Sequence, residues 1–174
     1  SSNDQYPVSA DTTLPFEQHR DIFYLSGINQ EESVLAIINS EIEKSKQEIL
    51  FVTKPNETLT HWEGEKLSKT KAYEISGIKN VYWIEDLEKI VEEFMSLVDI
   101  LYINTNEHYR AKVETETREA RFNKWIKKKY PKKGNKRSNP ILQQLRAVKE
   151  PVEIELIQKA CNITEKGFRR ILDF

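Results

Sequence analysis

A chain of 174 residues, 38% of them hydrophobic and 10% aromatic, is long enough to bury one hydrophobic core and part of a second. Its length therefore predicts one domain and a fragment of another. Its 27 basic and 28 acidic residues nearly cancel, so no field of the whole chain directs it to nucleic acid or to an anionic membrane. The single cysteine, Cys161, excludes an intrachain disulfide and a cysteine-based zinc site, and it is consistent with a reducing cytoplasm.

The first third of the chain predicts three strands after an extended start. Residues 1–17 are polar and turn-rich, with no clear element. The apolar runs IFYLSGI (22–28), SVLAIIN (33–39) and EILFVTK (48–54) each predict a strand. The short polar segment 40–47 allows a hairpin between the last two, so we expect part of the sheet to be antiparallel.

The middle of the chain alternates between helix and strand. Residues 58–77 predict one or two short helices that end at Gly77. NVYWIED (80–86) predicts a strand, DLEKIVEEFMSLV (86–98) a helix and DILYIN (99–104) another strand. Strand, helix and strand in this order indicate an α/β domain with a mixed β-sheet flanked by helices.

The last third of the chain predicts mainly helix. Residues 107–130 are helical until Pro131 and Gly134, and 141–149 predict a short element. The final segment, from Pro151 to the end, predicts a long helix with one apolar stripe, formed by Ile154, Ile157, Cys161, Thr164, Phe168, Ile171 and Leu172. No later segment of this sequence could cover that stripe.

No self-sufficient catalytic or metal site is evident. The three histidines, His19, His61 and His108, are far apart in sequence and lack a metal-binding spacing, and the five glycines stand singly rather than in a phosphate-binding loop. No apolar run is long enough to cross a bilayer, and the first residues lack the features of a signal peptide, so we expect a soluble protein.

Two features invite a functional interpretation. The basic stretch 124–137 interleaves Trp125 and Tyr130 with lysines, a mixture that could bind nucleic acid, although a solvated cationic helix end explains it more simply. Trp62 lies in a polar segment, where an indole is costly to leave bare. It could pack over a sheet edge or anchor a contact between proteins.

Three blocks of the sequence, taken together, resemble one family. Residues 16–37, 59–67 and 145–164 resemble the amino-terminal domain of aminopeptidase P and prolidase enzymes and the junction that follows it. The resemblance implies a fold similar to that of the creatinase amino-terminal domain and of ribonuclease H. The matching positions in the first two blocks are Phe16, Gln18, Asp21, Phe23, Tyr24, Leu25, Gly27, Trp62, Gly64 and Leu67.

The resemblance implies a noncatalytic module of a Xaa-Pro aminopeptidase, an enzyme that removes the residue before a proline. In this family two divalent metal ions, commonly manganese, are held by two aspartates, a histidine and two glutamates, and a bridging hydroxide attacks the carbonyl. Those ligands would lie beyond residue 174, so no catalytic or metal-binding residue is assigned in this chain. The module would contribute subunit contacts in a homo-oligomer and shape the active-site entrance.

The resemblance also implies a domain boundary and a role for Trp62. Residues 1–148 would form the amino-terminal domain, and 149–174 would form a linker and the first helix of a pita-bread catalytic domain, which would cover the apolar stripe. The matching tryptophan in some relatives reaches the active site of a neighbouring subunit, so Trp62 would line the substrate pocket in trans. A prolidase domain, a free-standing interaction module and a nucleic-acid binder remain alternatives.

Overall fold

The structure is a computed structural model, and it describes residues 1–9, 12–39, 47–56, 64–105 and 116–172. The chain divides into two compact units, Ser1–Arg137 and Ser138–Phe174. The predicted boundary after residue 148 stays a prediction. None of the helices in the described ranges combines the length and apolar composition that crossing a bilayer requires.

The described residues contain the following strands and helices. The strands are β1 (Pro7–Ser9), β2 (Thr12–Thr13), β3 (Val34–Ile37), β4 (Glu48–Val52), β5 (Asn80–Trp83), β6 (Ile100–Ile103) and β7 (Gly134–Arg137). The helices are α1 (Arg20–Ser26), α2 (Lys69–Ser76), α3 (Leu87–Met95), α4 (Arg118–Lys129), α5 (Asn139–Ala147) and α6 (Pro151–Leu172).

A three-stranded mixed sheet forms the centre of the first unit. β4 lies in the middle, antiparallel to β3 and parallel to β5. The predicted antiparallel pairing in this part of the sheet is therefore confirmed. The α/β class predicted from the sequence is also confirmed, because helices accompany this mixed sheet.

Both faces of β4 are buried, since successive side chains of a strand point to opposite faces. Leu50 and Val52 belong to one apolar cluster, which Ala72 of α2 joins. Ile49 and Phe51 belong to a second cluster, together with Ile90 and Phe94 of α3 and Val34 of β3. The helices thus cover opposite sides of the sheet.

The segment Ile22–Ile28 was predicted as a strand, and that prediction was wrong. It forms most of α1, which begins after His19 and ends at Gly27. Only Ile22 and Ser26 of the helix are buried, one turn apart, so a single narrow face of α1 packs inward. The aromatic residues of this run have a high β propensity. A helix forms nevertheless, because His19 and Gly27 cap its ends and because one of its faces is buried.

A two-stranded parallel ladder, formed by β6 and β7, lies apart from the central ladder. The predicted strand–helix–strand order of β5, α3 and β6 is present, but β6 pairs with β7 rather than joining β5 among the described residues. The strands β1, β2 and β7 were not predicted. β7 has the sequence GNKR and is exposed throughout, so its pairing comes from the backbone and not from an apolar pattern.

Candidate functional site

The residues of the first family block build a polar network around the loop between α1 and β3. Gln18 Nε2 donates to the carbonyl oxygen of Gln30 at 2.8 Å and to Ser33 Oγ at 3.1 Å. Ser33 Oγ donates to the same carbonyl at 2.8 Å. Ser2 donates its N–H to the Ser33 carbonyl at 2.8 Å, and both serines are fully buried. Gln18 therefore closes the loop, and Ser33 holds it against the start of the chain through Ser2.

The same loop receives the chain that follows residue 63. Gln30 Oε1 accepts the backbone N–H of Leu67 at 2.7 Å. Beside this bond, Lys66 Nζ and the Glu31 carboxylate form an ion pair, with side chains only 16% and 19% exposed. Gly64 has φ +82°, a conformation that glycine adopts without strain. The segment from Gly64 to Leu67 is thus attached to the 28–33 loop at two points.

Asp21 connects α1 with the end of β6. Asn104 Nδ2 donates to Asp21 Oδ2 at 2.9 Å and lies 3.1 Å from His19 Nε2. The Asn104 carbonyl accepts from Asn123 Nδ2 of α4 at 2.7 Å. Glu119 Oε1 lies 3.8 Å from His19 Nε2. The cluster joins α1, β6 and α4, and within the described residues no group of three or more His, Cys, Asp or Glu side chains is placed to hold a metal ion.

The aromatic positions of the first block contribute to packing in different degrees. Phe16, Tyr24 and Leu25 are partly buried, whereas Phe23 is 53% exposed. The block therefore supplies positioning and packing residues, and none of its side chains is arranged as a nucleophile with a base. The structural role that the family motif implies for these positions stays a prediction.

Gly27 ends α1 in the left-handed region, with φ +68°, and its N–H donates to the Phe23 carbonyl at 2.7 Å. We expect Gly27→Ala to lower the free energy of unfolding by about 1–2 kcal/mol, because an L side chain is strained there. Gly77 ends α2 in the same way, with φ +72°, and nothing lies within 4 Å of a Cβ placed on it. Gly77→Ala is the matched variant and should cost a similar amount, measured by urea unfolding. A neutral Gly27→Ala would contradict this account.

Trp62 and His61 lie outside the described residues, and so does His108. The predicted place of Trp62 in a pocket wall therefore stays a prediction. The described chain resumes at Gly64, two residues later, and Gly64 and Leu67 of the second family block lie in the anchored segment.

The aromatic residues of the basic stretch 124–137 pack against apolar residues of the first unit. Trp125 and Tyr130 pack against the cluster of Val91, Met95 and Ile126. Lys129 Nζ lies 2.8 Å from Glu92 and also contacts Glu88. Partial burial lowers the pKa of Lys129, but the hydrogen bonds with these two glutamates outweigh it and raise the pKa above its usual value. These two rings therefore pack within the first unit, and the alternative of nucleic-acid binding through this stretch stays a prediction.

The second unit presents an apolar stripe on α6. No residue of α6 is buried, and Cys161 is exposed. The large apolar side chains of the helix are each at least half exposed: Val152, Ile154, Leu156, Ile157, Ile163, Phe168, Ile171 and Leu172. They include Ile154, Ile157, Phe168, Ile171 and Leu172 of the stripe that the sequence predicts.

No motif in the sequence marks Gln30 or Lys66. Both lie inside family blocks but are not among the matching positions. Hydrogen bonds between segments 37 residues apart leave no periodic pattern in the sequence. The one local signal for these two residues is that they lie close to Gly27 and Gly64.

Comparisons with known proteins agree on one family. The family model for the aminopeptidase P N-terminal domain matches residues 1–102. The Xaa-Pro aminopeptidase of Escherichia coli K12 is 24% identical over 166 residues, which cover 95% of this chain and 37% of that protein. This chain thus spans little more than a third of that relative.

Solved structures give the same result for the fold. The structure of a putative aminopeptidase P from Bacillus anthracis superposes with a TM-score of 0.78 at 29% identity, covering 94% of this chain and 39% of that one. A zinc-substituted aminopeptidase P from E. coli in complex with product superposes with a TM-score of 0.69 at 22% identity, covering 94% of this chain and 37% of that one.

Proposed function

The chain belongs to the aminopeptidase P N-terminal domain family, and from that membership we propose that it serves a Xaa-Pro aminopeptidase as a noncatalytic domain. The full-length protein would hydrolyse the bond between an amino-terminal residue and a following proline. The observation that carries the proposal is the match over residues 1–102 together with a relative that covers nearly all of this chain.

Catalysis is assigned to a separate domain. The donor groups of the described residues do not fit a dinuclear metal site, because no cluster of ligating side chains is present among them. We assign the two divalent metal ions, expected to be manganese, to side chains of a carboxy-terminal catalytic domain. This chain would contribute subunit contacts and shape the active-site entrance.

The exposed stripe of α6 supports the attachment of such a domain. An apolar helix face of this length is unfavourable in water, and burying it contributes roughly 25 cal/mol per Å² of apolar surface. The protein's own catalytic domain is the proposed partner, and α6 would be its first helix. A homo-oligomer is part of the same proposal, because Trp62 would reach the pocket of a neighbouring subunit. A cytoplasmic location is also part of the proposal.

Full-length protein tests the proposal. We expect it to release the first residue from a peptide with proline second, and not from a matched peptide with alanine there. A chelator should abolish this activity and added manganese should restore it. Cleavage without the proline requirement, or activity that survives complete metal removal, would refute the proposed reaction. Activity confined to dipeptides would indicate a prolidase instead.

A further inference from the structure

The antiparallel ladder of β1 and β2 forms an arm of the first unit, residues 5–9 and 12–15. Every residue of both strands is exposed. Among the described residues, none of the three clusters of buried apolar side chains includes a residue of the arm. A two-stranded ladder that packs against nothing is at best marginally stable in water. The arm therefore lacks apolar cover within the part of the chain that the structure describes.

The two faces of the arm differ in polarity. The Leu14 N–H donates to the Tyr6 carbonyl at 2.9 Å, so these residues lie opposite each other and share a face. Gln5 Nε2 donates to Thr13 Oγ1 at 3.0 Å, which places this polar pair on the other face, because successive side chains alternate. Tyr6 is 42% exposed and Leu14 is 54% exposed. The apolar face of the arm is thus turned to solvent.

The base of the arm is attached to the first unit. Asp4 Oδ2 accepts the backbone N–H of Arg118, the first residue of α4, at 2.7 Å. The same carboxylate group forms an ion pair with Arg121. Asn3 Nδ2 donates to the Glu17 carbonyl at 3.0 Å, which joins the two chain segments that enter and leave the arm. The arm is therefore fixed at its base and uncovered along its length.

The composition of the arm indicates what covers it. Residues 5–15 contain one charged residue, Asp11, and no lysine or arginine. An anionic membrane surface would require basic residues here, and a strongly charged protein surface would find no opposite charges. A second copy of the chain presents the same uncharged face, so two arms can meet about a twofold axis without opposing like charges. Tyrosine is also enriched in the centre of protein interfaces.

We propose that this arm is a subunit contact, in which Tyr6 and Leu14 of one copy pack against the same face of a second copy. The inference rests on the proposed function, which includes a homo-oligomer, and it adds the surface through which the copies meet. A stable interface buries about 800 Å² on each partner. The arm supplies the apolar centre of that area, and the residues around its base supply the rim.

The test measures the assembly of the full-length protein by sedimentation velocity over a range of concentrations. Leu14→Glu places a carboxylate in the apolar face and opposite its own copy across the twofold axis. We expect the apparent dissociation constant of the assembly to rise at least about tenfold, as for a residue in the centre of an interface. Thr13→Glu is the matched control, because it adds the same charge to the adjacent residue on the opposite face. Its dissociation constant should stay within about twofold of wild type.

Two further measurements keep the result independent of folding. Leu14 and Thr13 are both exposed within one copy, so each variant should keep the far-ultraviolet circular dichroism of wild type. If Leu14→Glu fails to fold, Tyr6→Ser should weaken assembly in the same direction. Hydrogen exchange of the wild-type peptide covering 5–15 should be slower in the assembled protein than after dilution below the dissociation constant.

The outcomes separate this inference from the proposed function. If the full-length protein is monomeric at every concentration, the homo-oligomer is overturned and this inference with it, whereas the proposed peptidase reaction is decided by its own assay. If the protein assembles but Leu14→Glu and Tyr6→Ser leave the dissociation constant unchanged, the role of the arm alone is overturned. Equal weakening by Leu14→Glu and Thr13→Glu would also overturn it, because added charge and not the apolar face would then explain the loss.

Discussion

Replacement of Phe51 by alanine is expected to lower the free energy of unfolding by about 3–5 kcal/mol. Phe51 is fully buried in the central strand and belongs to the cluster with Ile90 and Phe94 of α3. Its ring lies 6.1 Å from that of Tyr82 on the neighbouring strand. Truncation would remove apolar contacts and leave a cavity at the point where sheet and helix meet.

Urea unfolding followed by far-ultraviolet circular dichroism measures this loss, and Phe23→Ala is the matched control. Phe23 is the same residue type but is 53% exposed on α1, so its truncation should cost about 0.5 kcal/mol or less. Because the chain has two units, tryptophan fluorescence should be followed as a second probe of the first unit. Equal losses for the two variants would contradict the assigned core.

Trp62→Ala in the full-length enzyme is expected to lower kcat/KM for a tripeptide with proline second by about 10–30-fold, the size of a typical tryptophan contact. The corresponding Xaa-Pro dipeptide does not reach beyond the proline, so its kcat/KM should change little. Glu65→Ala alters an exposed residue three positions away and serves as the control with no expected effect. Steady-state kinetics on the two peptides gives both numbers.

The contact in trans can be tested by mixing subunits. An inactive variant that keeps Trp62, co-assembled with Trp62→Ala subunits, should restore part of the tripeptide activity, because the intact tryptophan would serve a neighbouring active site. Equal loss on dipeptide and tripeptide, or failure of mixed oligomers to recover activity, would argue against the pocket role in trans.

Several elements could be predicted from the sequence because their signals are local. α2 ends at Gly77 and α6 begins at Pro151, where the conformational limits of glycine and proline act on single residues. The apolar run of β4 predicts a strand, as the structure confirms, and the structure shows that both of its faces are covered.

Other elements could not be predicted because distant partners decide them. The run after Arg20 has strand-like aromatics, yet it forms a helix that buries one face, at Ile22 and Ser26, against the rest of the fold. β7 has no apolar residue and becomes a strand only because its backbone pairs with β6, from Ile100 opposite Gly134 to Ile103 opposite Arg137. Propensity is too weak to outweigh such tertiary contacts.

The sequence by itself determined the α/β class, the family resemblance through spaced motif positions such as Gln18 and Gly64, and the amphipathic final helix. Only the tertiary structure revealed that Gln18 supports Gln30 and that Gln30 holds Leu67. The reason is physical. Periodicity and turn chemistry act between near neighbours in the chain, whereas a buried amide selects its partner from whichever backbone the fold brings within about 3 Å.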